Sequence, residues 1–142
     1  MIGLPCSGKT TRAKELEKEY NALRFTPDVW QIKLFGGVID DKIHDDIEKI
    51  MWDTAKRVLT LGVDVILDFG FWSRLERDDF RQRAYNLGAG FKLHYMNVSE
   101  DELFRRLETR NNSGNPDVFI LPKEQLAEYI KLFQPPSDEE LN

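Results

Sequence analysis

The stretch "GLPCSGKTT", residues 3 to 11, constrains this chain more than any other. A glycine, four residues, then Gly-Lys-Thr is the spacing of a loop whose backbone curls around phosphate, and helix-forming residues follow it directly, as such a loop requires. Gly3 and Gly8 permit the curl through Leu4, Pro5, Cys6 and Ser7, and the helix starting near Lys9 aims its positive dipole end at the enclosed space. Lys9 adds a mobile cation for the outer phosphates, the Thr10 hydroxyl is placed to coordinate magnesium, and Thr11 continues the first helical turn. Such a loop normally hangs from the end of a buried parallel strand of about five residues. Met1 and Ile2 supply only two, so the expectation is that several apolar residues precede Met1 in the natural protein and that the first strand is truncated here.

Length and charge set bounds on the rest. A chain of 142 residues makes one domain, able to bury roughly two thirds of its unfolded surface. Its formal charge of -5 gives no reason to expect nucleic acid or an anionic membrane as partner. The single cysteine, Cys6, has no internal partner for a disulfide, and neither a signal peptide nor a membrane-length apolar run is present. A reducing cytoplasm is the expected setting.

Apolar periodicity alternates between short strand-like runs and longer helical ones, which is the pattern of an α/β fold. Helices are expected over Lys9 to Tyr20 and from about Asp41 to Leu61, the latter with Ile43, Ile47, Ile50, Met51, Ala55 and Val58 on one face. A further helix carries Phe80, Ala84 and Leu87 and stops at Gly88. Another spans Glu100 to Arg110, and a last one carries Leu126, Ile130 and Phe133. Strands are expected at "LRFT" (23 to 26), "VDVILDF" (63 to 69) and "FKLHYMNV" (91 to 98), and "PPSDEELN" (135 to 142) reads as a frayed tail.

Three polar groups follow the loop in the sequence. Asp68 ends the buried run "DVILD", and a carboxylate at the C-terminal end of a parallel strand faces the ligand crevice and any metal in it; capping the next turn is its other possible role. Asp28, in "FTPDVW", is placed to take a proton from an attacking hydroxyl; capping the helix through Gln31 to Phe35 is the alternative role. Arg106 and Arg110 share one helical face beside an Asn- and Gly-rich loop, suited to neutralising charge on a moving phosphoryl group, while Arg105 reads as solvated. Trp30 and Phe35 after Asp28, and Phe69, Phe71 and Trp72 after Asp68, suggest two strand ends walling an apolar cleft. His94 reads as a packed strand residue and His44 as lying on an exposed helix face.

Taken in order, "GLPCSGKTT", "TPDVW", "VILDFGFWSRLERDDF" and "LFRRLETRN" resemble the small P-loop kinases of the AAA_33 family, relatives of zeta toxin, chloramphenicol phosphotransferase and polynucleotide 5'-kinase. The resemblance covers most of the chain. It implies a P-loop NTPase, nucleotide-kinase-like, with a three-layer α/β/α arrangement around a central parallel sheet. It further implies ATP with Mg²⁺ and transfer of the γ-phosphoryl group to a hydroxyl. By that analogy Asp28 falls at the general base, Asp68 at the strand-end aspartate and Arg110 at the catalytic arginine of a lid over about residues 105 to 118, with Arg106 among the nucleotide contacts.

Two departures stand out. Cys6 replaces the commonest glycine, at a position expected to need only a small residue. Gln31 stands where polynucleotide kinase has an arginine for its acceptor's phosphate, and losing that cation argues against a phosphorylated or polynucleotide acceptor. The expectation is therefore a kinase acting on a neutral small-molecule alcohol. A polynucleotide or nucleoside kinase, and an ATP-binding module without an acceptor, remain the alternatives.

Overall fold

The computed structural model describes residues 1–142. The chain runs α1 (Lys9–Tyr20), β1 (Leu23–Phe25), α2 (Pro27–Phe35), α3 (Asp41–Thr60), β2 (Val65–Leu67), α4 (Arg74–Asn86), α5 (Glu100–Asn111), α6 (Lys123–Leu132) and α7 (Asp138–Leu141). β1 and β2 pair in parallel with Leu23 opposite Val65 and Phe25 opposite Leu67. Ile2 extends this arrangement sideways, pairing in parallel with Gly70 on one side and Tyr95 on the other. Four extended segments thus lie side by side in the order β1, β2 with its continuation to Gly70, Ile2, and Tyr95.

The alternation of side chains along β2 explains why helices cover both faces. Val65 and Leu67 pack against the cluster built by Ile47, Met51, Trp52 and Ala55 of α3 and Phe80 of α4. Ile66, between them, points the other way and packs with Met1, Ala13 and Leu16, the last two on α1. A third cluster joins Leu4 to Leu103, Leu107, Leu121 and Leu126, fastening α5 and α6 beneath the glycine-rich loop. Three helices begin at a residue whose side chain accepts a backbone N–H of the first turn: Asp40 from Ile43, Ser73 from Glu76 and Ser99 from Glu102.

Three expectations need correction. The run 91 to 98 is not a strand: only Tyr95 pairs, because the sole neighbour of this segment is the short stretch around Ile2, to which it is tied by Ile2 N–H to His94 O and Met96 N–H to Ile2 O. Ile50 leaves the apolar face of α3 and is 58% exposed, since a spacing of three from Ile47 rotates it past the rim of the stripe.

The C-terminal residues are not frayed either. At the start of α7 the Ser137 N–H donates to Glu140 Oε2 at 2.8 Å, and Glu140 reaches the Arg77 guanidinium at 2.6 Å with both side chains almost wholly buried, 1% and 2% exposed. Arg77 also donates to the carbonyls of Phe71 and Gln134, so its charge is satisfied only while the C-terminal segment is docked. Removing one partner of such a pair leaves a buried uncompensated charge. Glu140→Ala should cost about 3–5 kcal/mol, a fall in Tm of roughly 10–20 °C for a chain of this size. The Arg77 hydrogen bond holds the Glu140 carboxyl down at about 2. A carboxylate with a depressed folded-state pKa stabilises the fold above its unfolded pKa, so the stability gap between parent and variant should close as pH falls from about 5 toward 2. Urea melts across that range check both points; a gap under about 1 kcal/mol at pH 7 would show that α7 does not depend on the pair.

Candidate active site

The loop from Gly3 to Gly8 owes its shape to backbone conformations that ordinary residues avoid. Gly3 has φ 151° and Gly8 φ 92°; a Cβ on Gly3 would lie 2.5 Å from Ser7 Oγ and 3.3 Å from the Met96 carbonyl oxygen. Cys6 has φ 68°, a left-handed conformation costly for a residue with a Cβ. Smallness is therefore not the only demand at this position; the left-handed backbone is what favours glycine there. Lys9 Nζ donates to Leu4 O at 2.9 Å, closing the loop on itself. Burial pushes the Lys9 ammonium below the ordinary lysine range, against the attraction of Asp68 and Asp28.

Asp68 follows β2 and forms the floor beside this loop. One carboxylate oxygen, Oδ2, accepts from Thr10 Oγ1 at 2.6 Å and from Thr26 Oγ1 at 3.2 Å. The other, Oδ1, is buried without a partner. An orphaned buried carboxylate oxygen next to a threonine hydroxyl suits a small hard cation, and Mg²⁺ characteristically takes one or two protein oxygens and completes its shell with water and phosphate. No group of three or more His, Cys, Asp or Glu side chains is arranged to hold a metal by protein ligands alone. The residues present fit a magnesium ion that arrives with a phosphorylated ligand.

Across the cleft, Thr26 occupies the position before α2 and Pro27 opens the helix, which leaves Asp28 in the first turn rather than at the cap. Its side chain is 57% exposed and lies 3.7 Å from His44 Nδ1. His44 is not on a solvent-facing surface as expected. Its Nε2 meets Glu48 at 3.0 Å and its Nδ1 meets Gln31 Oε1 at 3.2 Å. Burial opposes protonation of this imidazole, but the hydrogen bond and charge of Glu48, with Asp28 adding, outweigh it and raise its pKa. Gln31 is buried, its amide donating to the carbonyls of Val38 and Asp40; it braces the turn between α2 and α3. The signal for His44 was legible as spacing: Asp41, His44, Asp45 and Glu48 recur at i, i+3, i+4 and i+7, one face of α3.

The three arginines of α5 differ from one another. Arg110 Nη2 donates to Phe119 O at 2.9 Å while its Nε is buried without a partner. Arg106 binds Glu102 at 2.6 Å and reaches Cys6 O at 3.4 Å. Arg105 pairs with Glu102 on the exposed side, as expected. Asn111 spans the following loop by donating to Leu121 O and accepting from Leu121 N–H.

These parts line one cleft of about 650 Å³, within the size range of small-ligand sites. Lys9, Asp28, Asp68, Arg106 and Arg110 all border it, as do Pro5, Cys6, Gly8, Thr10 and Thr11. Gly3, Leu4 and Ser7 do not; Leu4 and Ser7 lie on the opposite side of the loop, where Ser7 Oγ is buried without a partner. Of the aromatic residues, Phe69, Phe71 and Trp72 border the cleft, and Trp72 donates to Gly3 O and packs against Tyr129 with ring centres 4.8 Å apart. Trp30 and Phe35 do not border it and are 43% and 48% exposed, since α2 presents Asp28 and Gln31 on its cleft side instead. His94, in the segment that carries the Ile2 pairing, is half-buried and its pKa is lowered chiefly by burial.

No helix is long and apolar enough to cross a membrane. A family model described as AAA_33, AAA domain, matches residues 1–136, a span that contains every cleft residue named above. No curated protein matches the chain.

Proposed function

We propose, since the chain belongs to the AAA_33 family of P-loop AAA domains, that it uses its nucleotide-binding loop to transfer the γ-phosphoryl group of ATP to a hydroxyl of a small molecule. The observation that carries this reading is Asp68: a buried carboxylate tied to Thr10 of the loop, with one free oxygen, in the same cleft as Asp28 and Arg110. The kinship with zeta toxin, chloramphenicol phosphotransferase and polynucleotide 5'-kinase rests on the order of the motifs alone.

On this reading the loop and Lys9 hold the phosphates of ATP, with Arg106 beside Cys6 at their edge. Thr10 and Asp68 hold Mg²⁺, which when bound offsets charge on the phosphate oxygens. Asp28 orients the acceptor hydroxyl and takes its proton while the acceptor oxygen bonds to the γ-phosphorus. The bond from that phosphorus to the bridging oxygen breaks, ADP leaves, and the proton on Asp28 passes to solvent. Arg110 directs its guanidinium toward the transferring group.

A screen for ADP release across sugars, nucleosides, aminoglycosides and other alcohols tests the activity; ATP bound tightly with no acceptor stimulating its consumption would reduce the protein to a binding module. Lys9→Ala gives an independent check. It removes a charge-assisted contact to the outer phosphates, so ATP affinity should fall about 10-fold or more, with turnover falling further. The fold should survive, because the variant no longer has to bury an ammonium. Calorimetric titration with a non-hydrolysable ATP analogue reads the affinity, and an unchanged value in a folded Lys9→Ala protein would place the nucleotide elsewhere.

A further inference from the structure

The partners of Gln31 and Glu48 decide where the protons of His44 sit. Gln31, only 2% exposed, donates from its amide nitrogen to Val38 O at 3.1 Å and to Asp40 O at 3.2 Å. Turning the amide over would set its oxygen against two carbonyl oxygens, neither of which has a proton to give. Its Oε1 therefore faces His44 Nδ1, at 3.2 Å. An amide oxygen only accepts, so Nδ1 carries a proton. On the other edge of the ring Nε2 meets a Glu48 carboxylate oxygen at 3.0 Å. That oxygen accepts as well. Both ring nitrogens are donors, and an imidazole with two N–H groups is a cation.

Nδ1 also lies 3.7 Å from Asp28 Oδ1. Asp28 and Gln31, three positions apart on α2, thus turn two acceptors toward one proton. If the ring lost a proton, the carboxylate of Glu48, at the shorter distance, would keep its N–H as the stronger acceptor. The lone pair would then appear on Nδ1, facing Gln31 and Asp28. Acceptor would stand against acceptor at the helix that carries Asp28, and at the residue that braces the turn from α2 into α3.

Charged groups surround the ring from several elements. Asp28 faces it from α2, and Glu48 and, more weakly, Asp45 from its own helix. Asp40 and Asp41 stand at the head of that helix. Glu76 of α4 feels the charge of Glu48, Tyr129 of α6 that of Asp28 and Asp41, and Lys9 of α1 that of Asp28 across the cleft. Glu48, Asp28 and Asp45 hold the proton on His44 against burial, so it persists above the ordinary histidine range and leaves as pH rises further.

We propose that His44 is a positioning residue that works as an imidazolium: its Nδ1 proton, facing Gln31 and Asp28, fixes the carboxylate that receives the acceptor's proton, and turnover falls when that Nδ1 proton is lost. This rests on the phosphotransferase reading for the role of Asp28. An imidazolium has no lone pair with which to take a proton, so His44 acts through Asp28 and not in its place.

The chain has two histidines, so His94→Gln leaves His44 as the one imidazole for nitrogen NMR. At neutral pH both ring nitrogens should read as N–H, and Glu48→Gln should move the titration to lower pH. The carboxyl carbon of Asp28, identified by its loss in Asp28→Asn, should shift with the same midpoint as His44 and cease to do so in His44→Gln. In turnover, kcat at saturating ATP and acceptor should fall about 10-fold as pH rises through that midpoint, the scale of a misplaced reacting group. His44→Gln should show the same loss at neutral pH without that limb. Lys9 also releases its proton below the ordinary lysine range; the limb belongs to His44 if it moves down in Glu48→Gln. A single N–H on the ring at neutral pH would overturn the proposal, as would a kcat that stays level through the titration. Matching midpoints for His44 and Asp28, with no alcohol stimulating ADP release, would support the positioning and sink the phosphotransferase reading. ADP release with no response of Asp28 to His44 would do the reverse.

Discussion

Arg110→Ala should lower acceptor-dependent ADP formation by about a thousandfold or more, the scale on which an arginine that meets the transferring phosphoryl group contributes, while ATP affinity changes little. The geometry behind this is the division of labour within one guanidinium. Nη2 is fastened to Phe119 O in the loop after α5, and the buried Nε is without a partner at the border of the cleft. A group held in place yet unsatisfied is available to charge that develops during transfer, and an interaction made mainly in the transition state alters turnover rather than ground-state binding. Arg110→Lys should restore little, because an ammonium cannot hold Phe119 O and present a second donor in the same plane. The measurements are kcat with a working acceptor and calorimetric affinity for a non-hydrolysable ATP analogue. Equal losses in both would reassign Arg110 to ground-state nucleotide binding.

What the sequence disclosed and what it withheld follow from the range of the interactions involved. The bounds of α1 were legible because both ends are local events: Gly8 turns the chain into the helix and Asn21, at φ 50°, turns it out. Asp68 was legible because a buried apolar run ending in a carboxylate is a local pattern, whereas its hydrogen bond from Thr10, 58 residues away, required the fold. The strands were overextended in the reading because ladder length is set by the neighbour and not by the strand's own residues. "FKLHYMNV" has good strand formers, yet it meets only the short Ile2 segment.

The two larger misreadings had signals that were present but outweighed. In "PPSDEELN" the prolines and acidic residues suggested fraying, while Ser137 followed three residues later by Glu140 is a helix-start signature. That Glu140 also meets Arg77, 63 positions away, only the tertiary structure could show. For His44, the apolar stripe of α3 through Ile43, Ile47 and Met51 correctly located the core. It left the adjoining face at 41, 44, 45 and 48 open to either solvent or a cleft. The packing of α2 along α3, with Gln31 buried between them and bonded to His44, makes it a cleft.

Asp28→Asn should cost about a hundredfold or more in acceptor-dependent turnover, the contribution of a positioned general base, with the fold and ATP affinity retained. Asparagine keeps the shape and the acceptor oxygen that can hold the hydroxyl, and removes the capacity to take its proton. The fold has little to lose at this position: the side chain is 57% exposed, Thr26 rather than Asp28 stands before α2, and its one ion-pair contact, His44 at 3.7 Å, keeps Glu48 and Gln31 as partners. Were Asp28 merely a contact that holds the acceptor, the substitution would raise KM and leave kcat near normal. A base lowers kcat itself, even at saturating acceptor, and this split decides between the two roles. His44→Gln supplies the comparison. It preserves a polar side chain beside Asp28 but removes the imidazole through which Asp28 and Glu48 are linked, so a loss much smaller than that of Asp28→Asn is expected if the carboxylate acts directly on the hydroxyl. Near-normal kcat in Asp28→Asn at saturating acceptor would remove Asp28 as the base, and a loss in His44→Gln as large as in Asp28→Asn would shift the proton-accepting role to the linked pair.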